Sequence, residues 1–249
     1  MAARIQQYCC CLAAFFMGLI IGHSPAQDST SALKRHAASA QKSQAAGWQN
    51  RLKEQQHALM NYPARVCFIG DSLTEYWQHT GQKFWDSSLT PLKAINLGTA
   101  GDRTEHMLYR LQYLDFSRAK LTHIVLMAGA NNLAQVPPDS PDDVLKAVQL
   151  MAGILKKKCP EAMIIVLGLP PNKSREDHPG LPKRVQETNQ LLQASSWPEQ
   201  VQFVSVDACF AQADGQWKPG MSLDGTHFSE QGYKVLAEKL LPLLPTKKT

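Results

Sequence analysis

The chain has 249 residues, 44% of them hydrophobic and 19% charged, with a formal net charge of +5. That balance fits one sizeable α/β domain and excludes a long disordered, highly charged chain. The positive excess forms no long basic stripe. Its one cluster, Lys156-Lys157-Lys158, falls near the end of an expected helix, where cations complement the helix dipole, so no nucleic-acid partner is expected.

The first element reads as an export signal. Arg4 precedes an apolar run over residues 9–22, and Ser24-Pro25-Ala26 puts small residues at the −3 and −1 positions of a cut after Ala26. A positive start, an apolar stretch short of the about 20 residues a span needs, and a small-residue cleavage site predict a signal peptide over residues 1–26. The expectation is a periplasmic or secreted protein with no stable membrane span after cleavage; an uncleaved segment would act as an anchor. Removal of the signal takes three of the six cysteines with it and leaves Cys67, Cys159 and Cys209, an odd number. These are expected as buried small hydrophobes rather than a disulfide framework.

Residues 27–47, rich in Ala, Ser and Gln without an apolar face, read as a loosely held lead-in. The main domain is expected over 48–249. It opens with a helix in which Trp48, Leu52, Leu59 and Met60 share a face, stopped by Tyr62-Pro63. Short apolar runs then follow at 65–70, 94–97, 122–128, 162–167 and 201–206, with helical patterns near 75–86, 103–113, 142–158, 182–195 and 229–241. The alternation predicts a parallel sheet covered by helices on both faces. In such sheets ligands bind beyond the carboxyl ends of the strands, so the residues after each strand carry the information.

After the first strand stand Gly70-Asp71-Ser72-Leu73; after the second, Asn96-Leu97-Gly98-Thr99-Ala100-Gly101-Asp102; after the third, Gly129-Ala130-Asn131-Asn132; and before the last helix, Asp224-Gly225-Thr226-His227. A serine hydroxyl becomes a nucleophile when a base takes its proton. Histidine is the usual base, and a carboxylate fixes its tautomer. Asp224 lies three residues before His227 across an Asp-Gly turn, a spacing that lets the carboxylate fold back on the ring while the far nitrogen points at Ser72. Three donors offer themselves to an oxyanion: the Ser72 N–H, the Gly101 N–H and the Asn131 carboxamide. Each tip alone is equally good turn chemistry. Asp71 is expected to brace the turn rather than serve as the acid of a triad.

Taken together and in order, these four blocks resemble the GDSL/SGNH hydrolase superfamily over about residues 48–244. The Asn96-x-Gly-x-x-Gly101-Asp and Gly129-x-Asn131-Asn132 runs are similar to the branch of the platelet-activating-factor acetylhydrolase catalytic subunits. The resemblance implies a three-layer α/β/α sandwich with a flavodoxin-like, parallel five-stranded sheet. It also implies ester hydrolysis with no metal and no cofactor: Ser72 attacks, His227 shuttles the proton, Asp224 orients it, and Ser72, Gly101 and Asn131 hold the oxyanion. Asn132 departs from the Gly-x-Asn-Asp pattern of many members, and the export signal departs from an intracellular enzyme. The expected activity is an exported serine esterase acting on short-chain, acetyl-type carbohydrate, lipid or other small-molecule esters. A lysophospholipase or thioesterase of longer chains, and a non-catalytic carbohydrate-binding module on the same fold, are the alternatives.

Other patterns carry less. Glu54-x-x-His57 has metal-ligand spacing, but a di-metal bundle needs two such pairs, so it reads as solvated helix surface. His178 lies in the Pro-rich stretch 170–182 on the expected active edge, within reach of a substrate or simply exposed. Trp77 and Trp217 read as pocket walls, with core packing an equal alternative for Trp77. His106 and His123 have no partner pattern.

Overall fold

Val66, Cys67, Phe68 and Ile69 are buried on both faces of the strand they form, which runs to Gly70 (β1, Val66–Gly70). A strand with no polar face sits in the middle of a sheet covered on both sides. The computed structural model, which describes residues 37–173 and 178–245, places β1 between β2 (Ala94–Gly98) and β3 (His123–Leu126). β4 (Met163–Leu167) and β5 (Val201–Val204) follow, giving a five-stranded sheet of order β2-β1-β3-β4-β5 with every pairing parallel. The signal peptide expected over residues 1–26 lies outside the described residues.

The register levels the strand ends. Gly70 pairs with Gly98, Ile69 with Leu126, Leu126 with Val166, and Val166 with Phe203. The chain therefore leaves β1, β2 and β3 side by side, and the loops that follow meet over one edge. The strand order turns at β1/β3, the place where doubly wound sheets bind ligands.

The helices are α1 (Trp48–Asn61), α2 (Ser72–Glu75), α3 (Gln82–Phe84), α4 (Thr104–Tyr113), α5 (Ala130–Ala134), α6 (Pro141–Lys158), α7 (Leu181–Ala194), α8 (Asp207–Phe210) and α9 (Glu230–Leu240). α4, α6 and α7 pack side by side as one layer, and α9 packs with α3 and α8 as part of the other. Ser140 caps α6 by accepting the Asp143 N–H, Asp142 and Asp143 occupy its first turn, and the three lysines 156–158 occupy its last. This is the charge order a helix dipole favours. None of the described helices is long and apolar enough to cross a membrane.

Two expectations change, and one of the two readings open for Trp77 holds. The segment 75–86 is not one helix but a chain of short pieces: α2, a 3-10 turn at Tyr76–Gln78, α3, a π turn at Trp85–Leu89 and a 3-10 turn at Thr90–Leu92. Gly81 breaks it, pressed so close to the Tyr233 ring that a Cβ there would lie 2.7 Å from Cγ. Trp77 is core, not pocket wall: it is 1% exposed and stacks among Phe68, Trp85 and Tyr233. The lead-in is not loose over residues 37–47. Ala37 is fully buried, its carbonyl accepts the Thr104 hydroxyl at 2.8 Å, and the Gln41 N–H donates to the Glu105 carbonyl at 3.0 Å. Contacts made by backbone groups leave no side-chain period for composition to reveal.

The three described cysteines are unpaired: Cys67 and Cys159 are buried and Cys209 is half-buried. Burial pushes the Cys67 thiol up, and raises that of Cys159 to about 11.

Candidate active site

Gly70 ends β1 because nothing larger fits. A Cβ there would lie 2.1 Å from the Thr74 hydroxyl and 2.8 Å from the Met127 carbonyl. Asp71 then caps α2. Its Oδ1 accepts the Leu73 N–H at 2.9 Å, and its carbonyl accepts those of Thr74 and Glu75. Ser72 becomes the first residue of α2, and its own N–H keeps no helical acceptor. Asp71 thus braces the turn, as its sequence position suggested. Burial pushes its carboxyl up to about 7; the Leu73 N–H opposes this, and the nearby Asp102 adds to it.

The Asp224–His227 turn comes from the other end of the chain. Asp224 Oδ1 accepts the N–H groups of Thr226 (2.9 Å) and His227 (2.8 Å), and Oδ2 lies 2.8 Å from His227 Nδ1. Partial burial works against ionisation of Asp224. The bonds from the His227 backbone, the His227 ring and Thr226 outweigh it and bring the pKa down to about 2. An ionised Asp224 can only accept, so Nδ1 carries the proton and Nε2 is left to accept. His227 Nε2 lies 3.0 Å from Ser72 Oγ, across 155 residues of chain. The Tyr76 ring packs against the imidazole, centroids 5.1 Å apart.

The turn is gripped from three sides. The Gly225 carbonyl accepts the Lys173 N–H at 2.7 Å and Trp217 Nε1 at 2.9 Å. The Thr226 hydroxyl donates to Asn172 Oδ1 at 3.1 Å. Gly225 has φ +87°, and a Cβ on it would lie 2.6 Å from that of Lys173. Trp217, expected as a pocket wall, does not line the cleft but supports the turn from below and packs on Phe210 and Phe228.

The loop after β2 supplies a different kind of group. From Thr99 to Thr104 the N–H groups find acceptors in turn: Gly70 O for Thr99, Glu75 Oε2 for Ala100, Thr99 O for Asp102, His106 Nδ1 for Arg103 and Asn132 Oδ1 for Thr104. Gly101 is the exception. Among the described residues its N–H has no acceptor, it lies exposed at φ +76°, and nothing stands within 4 Å of where a Cβ would be.

Asn131, on α5, donates through Nδ2 to the Asp102 carbonyl at 2.8 Å. The other Nδ2 hydrogen has only a long 3.5 Å contact to Asp71 Oδ2. Its neighbour Asn132 is fully buried, and its Nδ2 donates to Glu105 Oε2 (3.0 Å) and Asp139 Oδ2 (2.7 Å). An aspartate at 132 would press a third carboxylate onto those two, which accounts for the amide there.

Beneath the loops lies a buried ion pair that sequence patterns did not reveal. Arg110 Nε donates to Asp102 Oδ2 at 2.6 Å, Nη1 to the Leu97 carbonyl at 2.7 Å and Nη2 to the Gly70 carbonyl at 3.1 Å. One guanidinium thus ties the tip of β1 to the tip of β2. Trp48 Nε1 also donates to Asp102, and Gln55 Nε2 donates to Gly98 O and Thr99 Oγ1, so α1 supports the same loop. Burial raises the Asp102 carboxyl, opposed by Arg110 and Trp48. His106 sits beside this pair, its Nδ1 3.9 Å from Asp102 Oδ1.

A cleft of about 340 Å3 opens over Ser72, Asn131, Asp224 and His227. Its other polar walls are Asp71, Gln135, Asn172, His178 and Thr226, and its apolar walls are Leu73, Ala130, Ala134 and Leu181. His178 does face the active edge, and Gly101 stands on the exposed turn outside the wall. Glu54 and His57 lie exposed on α1, and His123 is half-buried against Thr122. Among the described residues no cluster of His, Cys, Asp and Glu is arranged to hold a metal.

The chain resembles known proteins in sequence and fold. A profile of the GDSL-like lipase/acylhydrolase family matches residues 68–235. The platelet-activating factor acetylhydrolase IB subunit alpha2 of Rattus norvegicus is 30% identical over 181 residues, 72% of this chain and 75% of its own. A Streptococcus pneumonia structure described as a platelet activating factor superimposes with a TM-score of 0.67 at 26% identity, covering 79% of this chain and 92% of its own. At 17% identity and a TM-score of 0.52, the acetylxylan esterase Axe2 of Geobacillus stearothermophilus shares the fold over 74% of this chain and 94% of its own.

Proposed function

The chain belongs to the GDSL-like lipase/acylhydrolase family and is a carboxylic ester hydrolase, and we propose that it is a serine esterase removing short, acetyl-type acyl groups from polar, hydroxylated alcohols. The observation that carries this reading is the unbroken chain from Ser72 Oγ to His227 Nε2 (3.0 Å) and from His227 Nδ1 to Asp224 Oδ2 (2.8 Å) inside one cleft.

In this mechanism Ser72 Oγ attacks the ester carbonyl as its proton passes to His227 Nε2, and Asp224 stabilises the imidazolium. The charge that develops on the carbonyl oxygen meets the Ser72 N–H and the loosely held Nδ2 hydrogen of Asn131, and the family resemblance assigns the unpaired Gly101 N–H as a third donor. Collapse breaks the C–O bond, and the leaving alkoxide takes the proton back from Nε2. A water, deprotonated by His227, then attacks the acyl-Ser72 carbonyl and frees the acid and the serine. No step asks for a metal.

The walls of the cleft support a short acyl group. Among the described residues the apolar ones are Leu73, Ala130, Ala134 and Leu181, none of them carrying an aromatic ring, and the rest are hydroxyl, amide, imidazole and carboxylate groups. The more apolar cleft lined by Phe116, Ala119 and Leu121 lies before β3, at the opposite edge of the sheet, where no acyl chain from Ser72 could enter it. A lysophospholipase or long-chain thioesterase would need an apolar channel leading from the nucleophile. Export belongs to the same reading, supported by Arg4, the apolar run 9–22 and the small residues before the cut at Ala26; an N-terminal sequence beginning at Gln27 checks it.

A series of 4-nitrophenyl esters from C2 to C12 tests the acyl preference. The reading expects the highest kcat/KM at C2, a steep fall beyond C4, and no change with EDTA. A maximum at C8 or longer would contradict it.

A further inference from the structure

A second cleft, of about 310 Å3, lies beside the catalytic one. Two chain segments form the partition. Asn172 and Leu181 line the catalytic cleft, and their neighbours Pro171 and Pro182 line the second. The floor is one face of α7, on which Gln186 and Gln190 stand one turn apart, both exposed and neither hydrogen-bonded among the described residues. Gln212 faces them from the hairpin loop beyond α8, its Nε2 held by the Trp217 carbonyl and its Oε1 left over. Asp207 completes the set, with Oδ1 held by Asn189 Nδ2 at 3.0 Å and Oδ2 by Ser205 Oγ at 3.3 Å. Gly215 shapes the rim: at φ +79°, its missing Cβ would lie 2.1 Å from Gln186 Nε2.

The chemistry of these walls excludes most ligands. Among the described residues no lysine or arginine lines the cleft, so an anion such as phosphate finds no counter-charge there. The apolar walls are prolines, alanines and one valine, too small and interrupted for a fatty chain. What remains are three glutamine amides, each able to donate and accept, beside an oriented carboxylate acceptor. Such groups pair with neutral hydroxyls, and the flat aliphatic faces between them suit a sugar ring.

We propose that this second cleft is a carbohydrate subsite, holding further sugar units of an oligosaccharide whose acetylated unit lies at Ser72. The inference rests on the short-chain esterase reading and deepens it: the substrate is an acetylated oligosaccharide rather than a free monosaccharide ester. Adjacent residues on each segment, Pro171 with Asn172 and Leu181 with Pro182, line the two clefts back to back, so the oligosaccharide would cross this partition.

Two measurements test it. The first compares kcat/KM on O-acetylated xylo- and chito-oligosaccharides of one to four units with that on 4-nitrophenyl acetate, which reaches only Ser72. The protein should gain at least tenfold from one unit to four in one of the two series, mainly through KM. The Gln186→Ala/Gln190→Ala double variant should lose that gain while its rate on 4-nitrophenyl acetate stays within twofold. A flat length dependence in both series, or a gain that survives the double variant, overturns the proposal. The second is calorimetric titration of the protein with unacetylated xylotetraose and chitotetraose, which needs no turnover. Binding of one of them, weakened at least fivefold by the double variant, supports the subsite, and no binding of either refutes it. Failure of 4-nitrophenyl acetate hydrolysis would instead refute the esterase reading, a separate result.

Discussion

Asn172 and Thr226 are joined side chain to side chain, hydroxyl to carboxamide oxygen at 3.1 Å, and through that bond the loop after β4 holds the turn that carries Asp224 and His227. Neither residue touches Ser72, yet each restrains the arc on which the imidazole can swing. Asn172→Ala and Thr226→Val should each lower kcat about fivefold with little change in KM, because the base is misaimed while the cleft is kept. The two effects should not add. A double-mutant cycle should give a coupling of about 1 kcal/mol, as expected for one neutral hydrogen bond between side chains in contact. Additive losses would mean the bond does no positioning.

Gly225 is held to glycine twice over, by φ +87° and by the Lys173 Cβ at 2.6 Å from its own missing one. Gly225→Ala should lower kcat/KM at least tenfold with only a small drop in Tm, since the turn is exposed and the damage is local. Steady-state kinetics and a thermal melt on the same sample check both halves.

Asn131 offers an oxyanion one hydrogen that the protein itself holds only at 3.5 Å. Asn131→Ala should cost about 100-fold or more in kcat at nearly unchanged KM, the signature of a donor used in the transition state. A loss confined to KM would move Asn131 from the reaction to substrate binding.

Asp71 ties stability to pH. Its folded pKa, about 7, stands above the ordinary 3.8 because the carboxyl is buried. Between those values the folded chain binds a proton that the unfolded chain has lost, so this group makes stability fall as pH rises from about 4 to 7, then level off. Three pKa units correspond to at most about 4 kcal/mol. Asp71→Asn keeps an acceptor for the Leu73 N–H and removes the titration, so the variant's Tm should gain on the wild type as pH rises through that window. A constant difference between pH 4 and 8 would contradict the burial argument.

Asn132→Asp should be costly for the opposite reason. It would place a carboxylate against Glu105 and Asp139 where two donated hydrogen bonds now stand. A loss of about 3 kcal/mol is expected at neutral pH, shrinking as pH falls and the carboxyls protonate. Denaturant titrations at pH 5 and 7.5 would show it.

The sheet and most of its helices were legible because buried parallel strands are nearly continuous apolar runs and long helices repeat every turn or so. Ser72, Asp224, His227 and Asn131 were legible for another reason: their residue types recur at strand ends in an order that turn chemistry alone does not demand. What escaped were features without a period or a motif. Arg110 looks like one charge on a helix, and only its place beneath Gly70 and Leu97 makes it a tie between two strand tips. Trp77 and Trp217 are the same residue type, and burial alone assigns one to the core and the other to the support of Gly225. The anchoring of residues 37–47 rests on the Ala37 carbonyl and the Gln41 N–H, which no composition reports.

The central claim is that Ser72 is an activated nucleophile, and a fluorophosphonate probe reads that directly. The wild-type protein should label on one residue, located by mass spectrometry at Ser72, while Ser72→Ala, with an unchanged circular-dichroism spectrum, should not label and should not hydrolyse 4-nitrophenyl acetate. Labelling or hydrolysis that persists in the folded Ser72→Ala protein would contradict the account.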